Sequence, residues 1–164
     1  MWSSDRRTAL ALLGAAALAG CGFELRRPPA LAFKSIALSG FAPRSALADD
    51  FRRALARSVQ VKEREADAEV VLQALADERG TNVVASTSAA QVRELRLNLR
   101  FRFRAHTPSG RELIAADELL LSRDMSYSEA AALAKEQEET ELFRVMHADV
   151  VAQVLRRLAA IRLS

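Results

Sequence analysis

Residues 94–106 read ELRLNLRFRFRAH, with arginine at 96, 100, 102 and 104 and asparagine at 98 on one parity. Leu95, Leu97, Leu99, Phe101, Phe103 and Ala105 hold the other parity. Successive side chains of a β-strand point to opposite faces, so this spacing predicts a half-buried strand with a row of guanidiniums on its open face. A guanidinium is planar and donates two parallel hydrogen bonds, which suits phosphate and carboxylate. Exposed strand faces are also charged simply to stay soluble and to discourage edge pairing. Sheet-based readers of nucleic acid stack bases on exposed aromatics. Phe101 and Phe103 have the parity of the core face instead, so nucleic acid is not an expected partner.

Residues for catalysis are sparse. His106 falls at a hairpin end and His147 in a helical stretch, and neither belongs to an H-x-x-x-H or H-x-x-E pairing. No G-x-S-x-G and no phosphate-cradling glycine loop occurs. The carboxylates of AADE and KEQEET lie in charge runs that read as solvated faces. The expectation is a protein that is not an enzyme, with no catalytic residues, no cofactor and no metal site.

Cys21 is the only cysteine. Ahead of it, Arg6 and Arg7 form a positive segment, followed by the apolar run ALALLGAAALA at residues 9–19. As a helix this run spans roughly 16 Å, about half the ~30 Å hydrocarbon core, and so fits a signal peptide rather than a membrane span. LAGC, residues 18–21, resembles the lipobox of bacterial lipoproteins, where the cysteine thiol takes a diacylglycerol and becomes the mature N-terminus. On that reading residues 1–20 are removed and Cys21 is the lipidation site, with two or three acyl chains holding the protein to a membrane. Gly22, in place of the aspartate that retains such proteins at the inner membrane, favours the outer membrane, facing the periplasm. An acylated Cys21 leaves no thiol for a disulfide or a metal.

The chain that must position these residues has 164 residues, half of them hydrophobic and 27% charged, which is the composition of a globular domain. Its formal charge of +3 is small, so any basic function must come from a local patch. RRPPA at 26–30 cannot be helical and makes residues 21–32 a lipidated tether to a single domain over 33–164. FKSIALSG, residues 33–40, reads as a first strand. Leu47, Phe51, Leu55 and Val59 recur every fourth residue and predict a helix over 45–59, with Ser45 as its N-cap. AEVVLQALADERG, residues 68–80, predicts a second strand, and TNVVASTSAA, residues 81–90, either prolongs its pairing or forms a loop. HTPSGRE at 106–112 is a hairpin turn between the arginine strand and LIAADELLLSRDM, residues 113–125, whose poorer alternation fits a central or bulged strand, or one buried on both faces at one end.

Ser126 and Glu129 form an S-x-x-E capping box, and no glycine or proline follows as far as Arg162. A helix of about 35 residues, ~50 Å long, is predicted, with the stripe Leu142, Met146, Val150, Val154 and Leu158. Such length implies a bend or an N-terminal half that leaves the core near KEQEET, residues 135–140. The order β-α-β-β-β-α predicts an α+β fold. It is a two-layer sandwich, a four-stranded, mainly antiparallel sheet with both helices on one face and the arginines on the other.

Several stretches, in order, resemble the lipopolysaccharide-assembly lipoproteins of the LptE (RlpB) family. They are CGFELR after the lipobox, PSGRE in the hairpin turn, SRDMSY before the last helix, and ALAKEQEETELFRVMHADVVAQVLRRLAAI with its QVLRRL end. The resemblance covers nearly the whole chain after Cys21. It implies an outer-membrane lipoprotein that plugs the lumen of the β-barrel LptD, assists assembly of that barrel, and binds lipopolysaccharide on its way to the outer leaflet. It also implies that Lys135 matches the family's lipopolysaccharide-binding lysine at the start of the last helix. A second basic position of the family falls on Ser88 here, with Arg93 the nearest basic residue. Arg123, Arg100 and Arg102 complete the candidates for lipopolysaccharide contact. An envelope lipoprotein that serves as an accessory binding subunit of another transport or cell-wall complex fits the same anchor.

Overall fold

The computed structural model describes residues 30–88 and 91–162; the signal segment, Cys21 and most of the tether lie outside them. Strand β1 (Ser35–Ser39) is followed by helix α1 (Ala46–Leu55), β2 (Gln60–Lys62), β3 (Val70–Ser86), β4 (Val92–His106), β5 (Glu112–Ser126) and helix α2 (Ala132–Ala159). One sheet runs β2-β1-β3-β4-β5. β1 pairs parallel with β2 and β3, while the longer β3–β4 and β4–β5 ladders are antiparallel. The α+β architecture is as expected, with five strands rather than four. The added strand, β2, has three residues, too few to show a period of two in sequence.

The hairpin of β3, β4 and β5 carries the core on one face. Leu97, Leu99, Phe101, Phe103 and Ala105 are all buried, as their parity requires. Phe101 and Phe103 stack at 5.5 Å between centroids, and Phe51 from α1 meets Phe101 at 5.6 Å. Met146, Val150, Val154 and Leu158 close the core from α2, where Phe143, rather than Leu142, is the first buried residue. Gly40 ends β1 with a φ of 74°, and a Cβ there would run into the carbonyl oxygen of Ala74, so only glycine fits this turn.

A bulge at Leu75 decides what the second half of β3 presents. Ala74 pairs with Phe103 but Ala76 pairs with Arg102, so one residue of β3 is left over. Val70, Leu72 and Ala74 face the core before it; Asp77, opposite Phe101, faces the helices after it. Asp77 accepts the Ser45 hydroxyl at 2.7 Å, and the same hydroxyl accepts the Ala48 N–H at 3.2 Å, which is the predicted N-cap of α1. That helix stops at Leu55, so Val59 lies beyond it. TNVVASTSAA prolongs β3 as far as Ser86.

The capping box at 126 and 129 does not form. Ser126 pairs with Glu94 as the last residue of β5, and a 3₁₀ turn over Glu129–Ala131 leads into a helix of 28 residues, ~42 Å long. Ladder pairing holds the Ser126 backbone extended, and its hydroxyl accepts Lys135 Nζ at 2.9 Å instead of a helix N–H. None of residues 132–142 is buried, so the first half of α2 does leave the core. β5 has a bulge near Ala115 and its outer edge has no strand neighbour, which accounts for its imperfect alternation.

Candidate functional site

The arginine row lies on the face away from the helices, and carboxylates of the flanking strands meet it. Arg96 makes a bidentate pair with Asp124 at 2.6 and 2.8 Å. Arg100 bonds Glu118 at 2.6 Å on one side and Glu78 at 3.3 Å on the other. Arg102 stands 3.9 Å from Glu118, and Arg104 donates to Gln73 at 2.7 Å. Hydrogen bonds from these partners raise the pKa of Arg96 and of Arg100, and the bond from Arg96 lowers that of Asp124. The face is thus charged and largely neutralised by its own sheet, rather than an open cation surface.

The five basic candidates do not form one cluster. Arg100 and Arg102 lie in the middle of this outer face. Arg123 has the parity of the core, opposite Leu97, and pairs across to Asp149 of α2 at 3.2 Å. Arg93 and Lys135 lie near the same turn. The Arg93 carbonyl accepts the Tyr127 N–H at 2.8 Å, and Lys135 donates to the adjacent Ser126, so both adjoin one corner where β5 turns into α2. Lys135 also pairs with Glu138 at 2.7 Å and is mostly covered, whereas Arg93 is exposed, with Gln91 at 3.4 Å. Cys21 lies outside the described residues.

A second group of polar residues escapes sequence reasoning. Asp50 and Arg53 of α1, Arg79 and Thr81 of β3, and Glu139 and His147 of α2 line a cleft of about 750 Å³. His147 Nδ1 is 3.3 Å from Asp50 Oδ2, while its buried Nε2 has no partner. Burial first, and then the charge of Arg79, lower the His147 pKa against the opposing pull of Asp50. Arg79 lies over the Phe143 ring at 5.5 Å, and Thr81 donates to Glu139 at 3.0 Å. Four carboxylates, of Asp49, Asp50, Glu136 and Glu139, face three arginines, Arg53, Arg79 and Arg144, in this cleft, so it offers no excess positive charge to an anion. The only advance sign of it is the break in alternation at Leu75, after which Asp77, Arg79 and Thr81 turn toward the helices. Among the described residues no His, Cys, Asp and Glu grouping could hold a metal ion, and no helix is long and apolar enough to cross a membrane.

Comparison with known proteins agrees with this architecture. The chain is similar to lipoprotein B from Nitrosomonas europaea, at 27% identity and a TM-score of 0.72, covering 85% of this chain and 91% of that one. It is similar in fold to the rare lipoprotein B from Shewanella oneidensis, at 22% identity and a TM-score of 0.65 over 77% and 95% of the two chains. A minor lipoprotein from Acinetobacter baumannii shares the fold at 23% identity and a TM-score of 0.64, over 79% and 93%. No curated protein matches. The family model described as lipopolysaccharide-assembly, LptE, matches residues 33–158, from the residues just before β1 to the last turn of α2. The chain belongs to the LptE family of lipopolysaccharide-assembly proteins, a non-enzymatic family.

Proposed function

We propose that this protein is an outer-membrane lipoprotein, anchored through Cys21, that seats in the lumen of an LptD-like β-barrel and assists its assembly. In the same reading it binds lipopolysaccharide at the corner shared by Arg93 and Lys135. The observation that carries the reading is the outer face of the sheet. Arg96, Arg100 and Arg102 are paired with Asp124, Glu118 and Glu78, which makes a broad polar face of low net charge. The interior of an outer-membrane barrel is polar, and such a face can lie against it without stranding buried charge. The corner supports the second part: a cation held by Ser126 and Glu138 and the exposed Arg93 both adjoin the turn from β5 into α2, at the end of the molecule where α2 has left the core.

Purification of the full chain from outer membranes tests the seat, with a large β-barrel expected at near-equal stoichiometry. Recovery without a barrel overturns it and favours the accessory-subunit reading. For the corner, Lys135→Glu combined with Arg93→Glu is expected to weaken lipopolysaccharide binding about tenfold at low salt, and less at high salt, with the fold and barrel recovery unchanged. Glu138→Gln, which leaves Lys135 with Ser126 alone, is expected to strengthen it. Equal binding by all three proteins at low and moderate salt overturns the assignment.

A further inference from the structure

The two edges of the sheet are built differently. One is β2, three residues long, and so short an edge offers little to an incoming strand. The other is β5, fifteen residues long. From Asp117 to Ser126 it pairs with β4 in unbroken register and contains no proline, glycine or lysine. Tyr127, just beyond, donates its N–H to Arg93, which sets the alternation of this ladder. Within this stretch the odd-numbered residues turn their backbone groups toward β4. Glu118, Leu120, Ser122 and Asp124 turn theirs to the free edge.

Two of these edge groups are held by neighbouring side chains. The Glu118 N–H donates to Asp117 Oδ1 at 2.7 Å, and the Ser122 carbonyl accepts Arg123 Nη1 at 3.0 Å. The second carboxylate oxygen of Asp117 and the second terminal nitrogen of Arg123 are bound to α2, through Arg157 at 3.1 Å and Asp149 at 3.2 Å. Between them stands Leu120, 71% exposed.

We propose that β5 pairs antiparallel with β5 of a second copy of this chain, about a twofold axis at Leu120, to give one continuous sheet with all helices on one face. In that register Leu120 meets Leu120, Leu119 meets Leu121, Glu118 meets Ser122 and Asp117 meets Arg123. The Glu118 N–H then donates to the Ser122 carbonyl of the second copy. This frees Asp117 Oδ1 and Arg123 Nη1, which face each other across the non-hydrogen-bonded pair, where opposing side chains are closest. The groups that shield the edge of the single chain are therefore one another's partners across the interface. Neighbouring registers lack this match. An axis at Leu121 sets Glu118 against Asp124, one at Ser122 sets Leu120 against Asp124, and one at Leu119 sets Glu118 against Leu120. This inference concerns the chain outside a barrel and does not rest on the proposed function; a one-to-one complex with a barrel would hold a single, unpaired copy.

The test uses the full chain in detergent, by sedimentation equilibrium and by cysteine coupling in a Cys21→Ser background. A reversible dimer is expected. Leu120→Lys, on an exposed face, is expected to raise its dissociation constant at least tenfold with an unchanged circular dichroism spectrum. Paired Cα atoms at the axis stand ~5.5 Å apart, within disulfide range, so Leu120→Cys is expected to couple spontaneously, whereas Ser109→Cys in the β4–β5 turn is not. A chain that stays monomeric at all concentrations overturns the proposal. So does a Leu120→Lys dimer as tight as the parent, or coupling at 109 as ready as at 120.

Discussion

Near β1 the molecule packs Phe41, Phe51, Phe101 and Phe103 ring against ring, with α1 and the second half of α2 lying over them. At the opposite end, β3 beyond Asp77 is without a buried side chain, and α2 buries nothing before Phe143. The same three strands and the same helix run through both ends. One end holds its layers together by apolar burial. The other keeps Leu97, Leu99 and Met125 buried on β4 and β5 but meets β3 and α2 through polar contacts such as Thr81 with Glu139 and Lys135 with Ser126. Few buried apolar contacts mean low local stability, which is the condition under which a surface is free to adapt to a partner. The contrast places structural cohesion near β1 and the proposed ligand corner at the far end.

The largest test of this contrast is a pair of truncations. Phe101→Ala removes a fully buried ring and is expected to cost about 3–5 kcal/mol in urea unfolding, whereas Leu133→Ala, on the exposed start of α2, is expected to change stability by less than about 0.5 kcal/mol. Equal losses would mean that the far end shares the core after all.

A smaller effect is expected from pH, because His147 lies at the junction of the two ends. Its folded-state pKa is held below the ordinary 6.5, so the unfolded chain takes up the proton first as pH falls. The contribution of the neutral ring is therefore complete above about pH 6.5 and is lost as pH falls from there through the folded-state pKa. The thermal midpoint is expected to drop over this range in the parent and to drop less in His147→Gln. Identical slopes would show that other groups govern the acid limb. The smallest effect concerns the outer face. Arg96→Ala breaks an exposed pair with Asp124 and is expected to leave the urea midpoint within error, since the gain from such pairs is screened by solvent. A clear loss would make that face part of the cohesive structure rather than a surface.

Local periodicity determined a good deal. The parity of residues 94–106 identified both faces of β4, because alternation sustained over a whole strand has only one solution when one face is apolar. The four-residue repeat did the same for Met146, Val150, Val154 and Leu158, and Ser45 was legible as a cap because an N-cap bond spans only three residues. The lipobox-like LAGC is likewise a purely local pattern.

The tertiary structure decided whatever depends on pairing between distant segments. Three residues became β2 because β1 lay beside them, and Ser126 stayed in the ladder because Glu94 stood opposite, which overrode a sound capping signal. The bulge at Leu75 reversed the facing of β3 and so brought Arg79 and Thr81 into the cleft beside Asp50 and His147 of the helices, where strict alternation would have turned them to the other face. It also set which carboxylates met the arginines. The sequence by itself specified that Arg96, Arg100 and Arg102 share a face. Only the register of β3 and β5, a matter of bonds between residues up to 28 positions apart, made that face neutral.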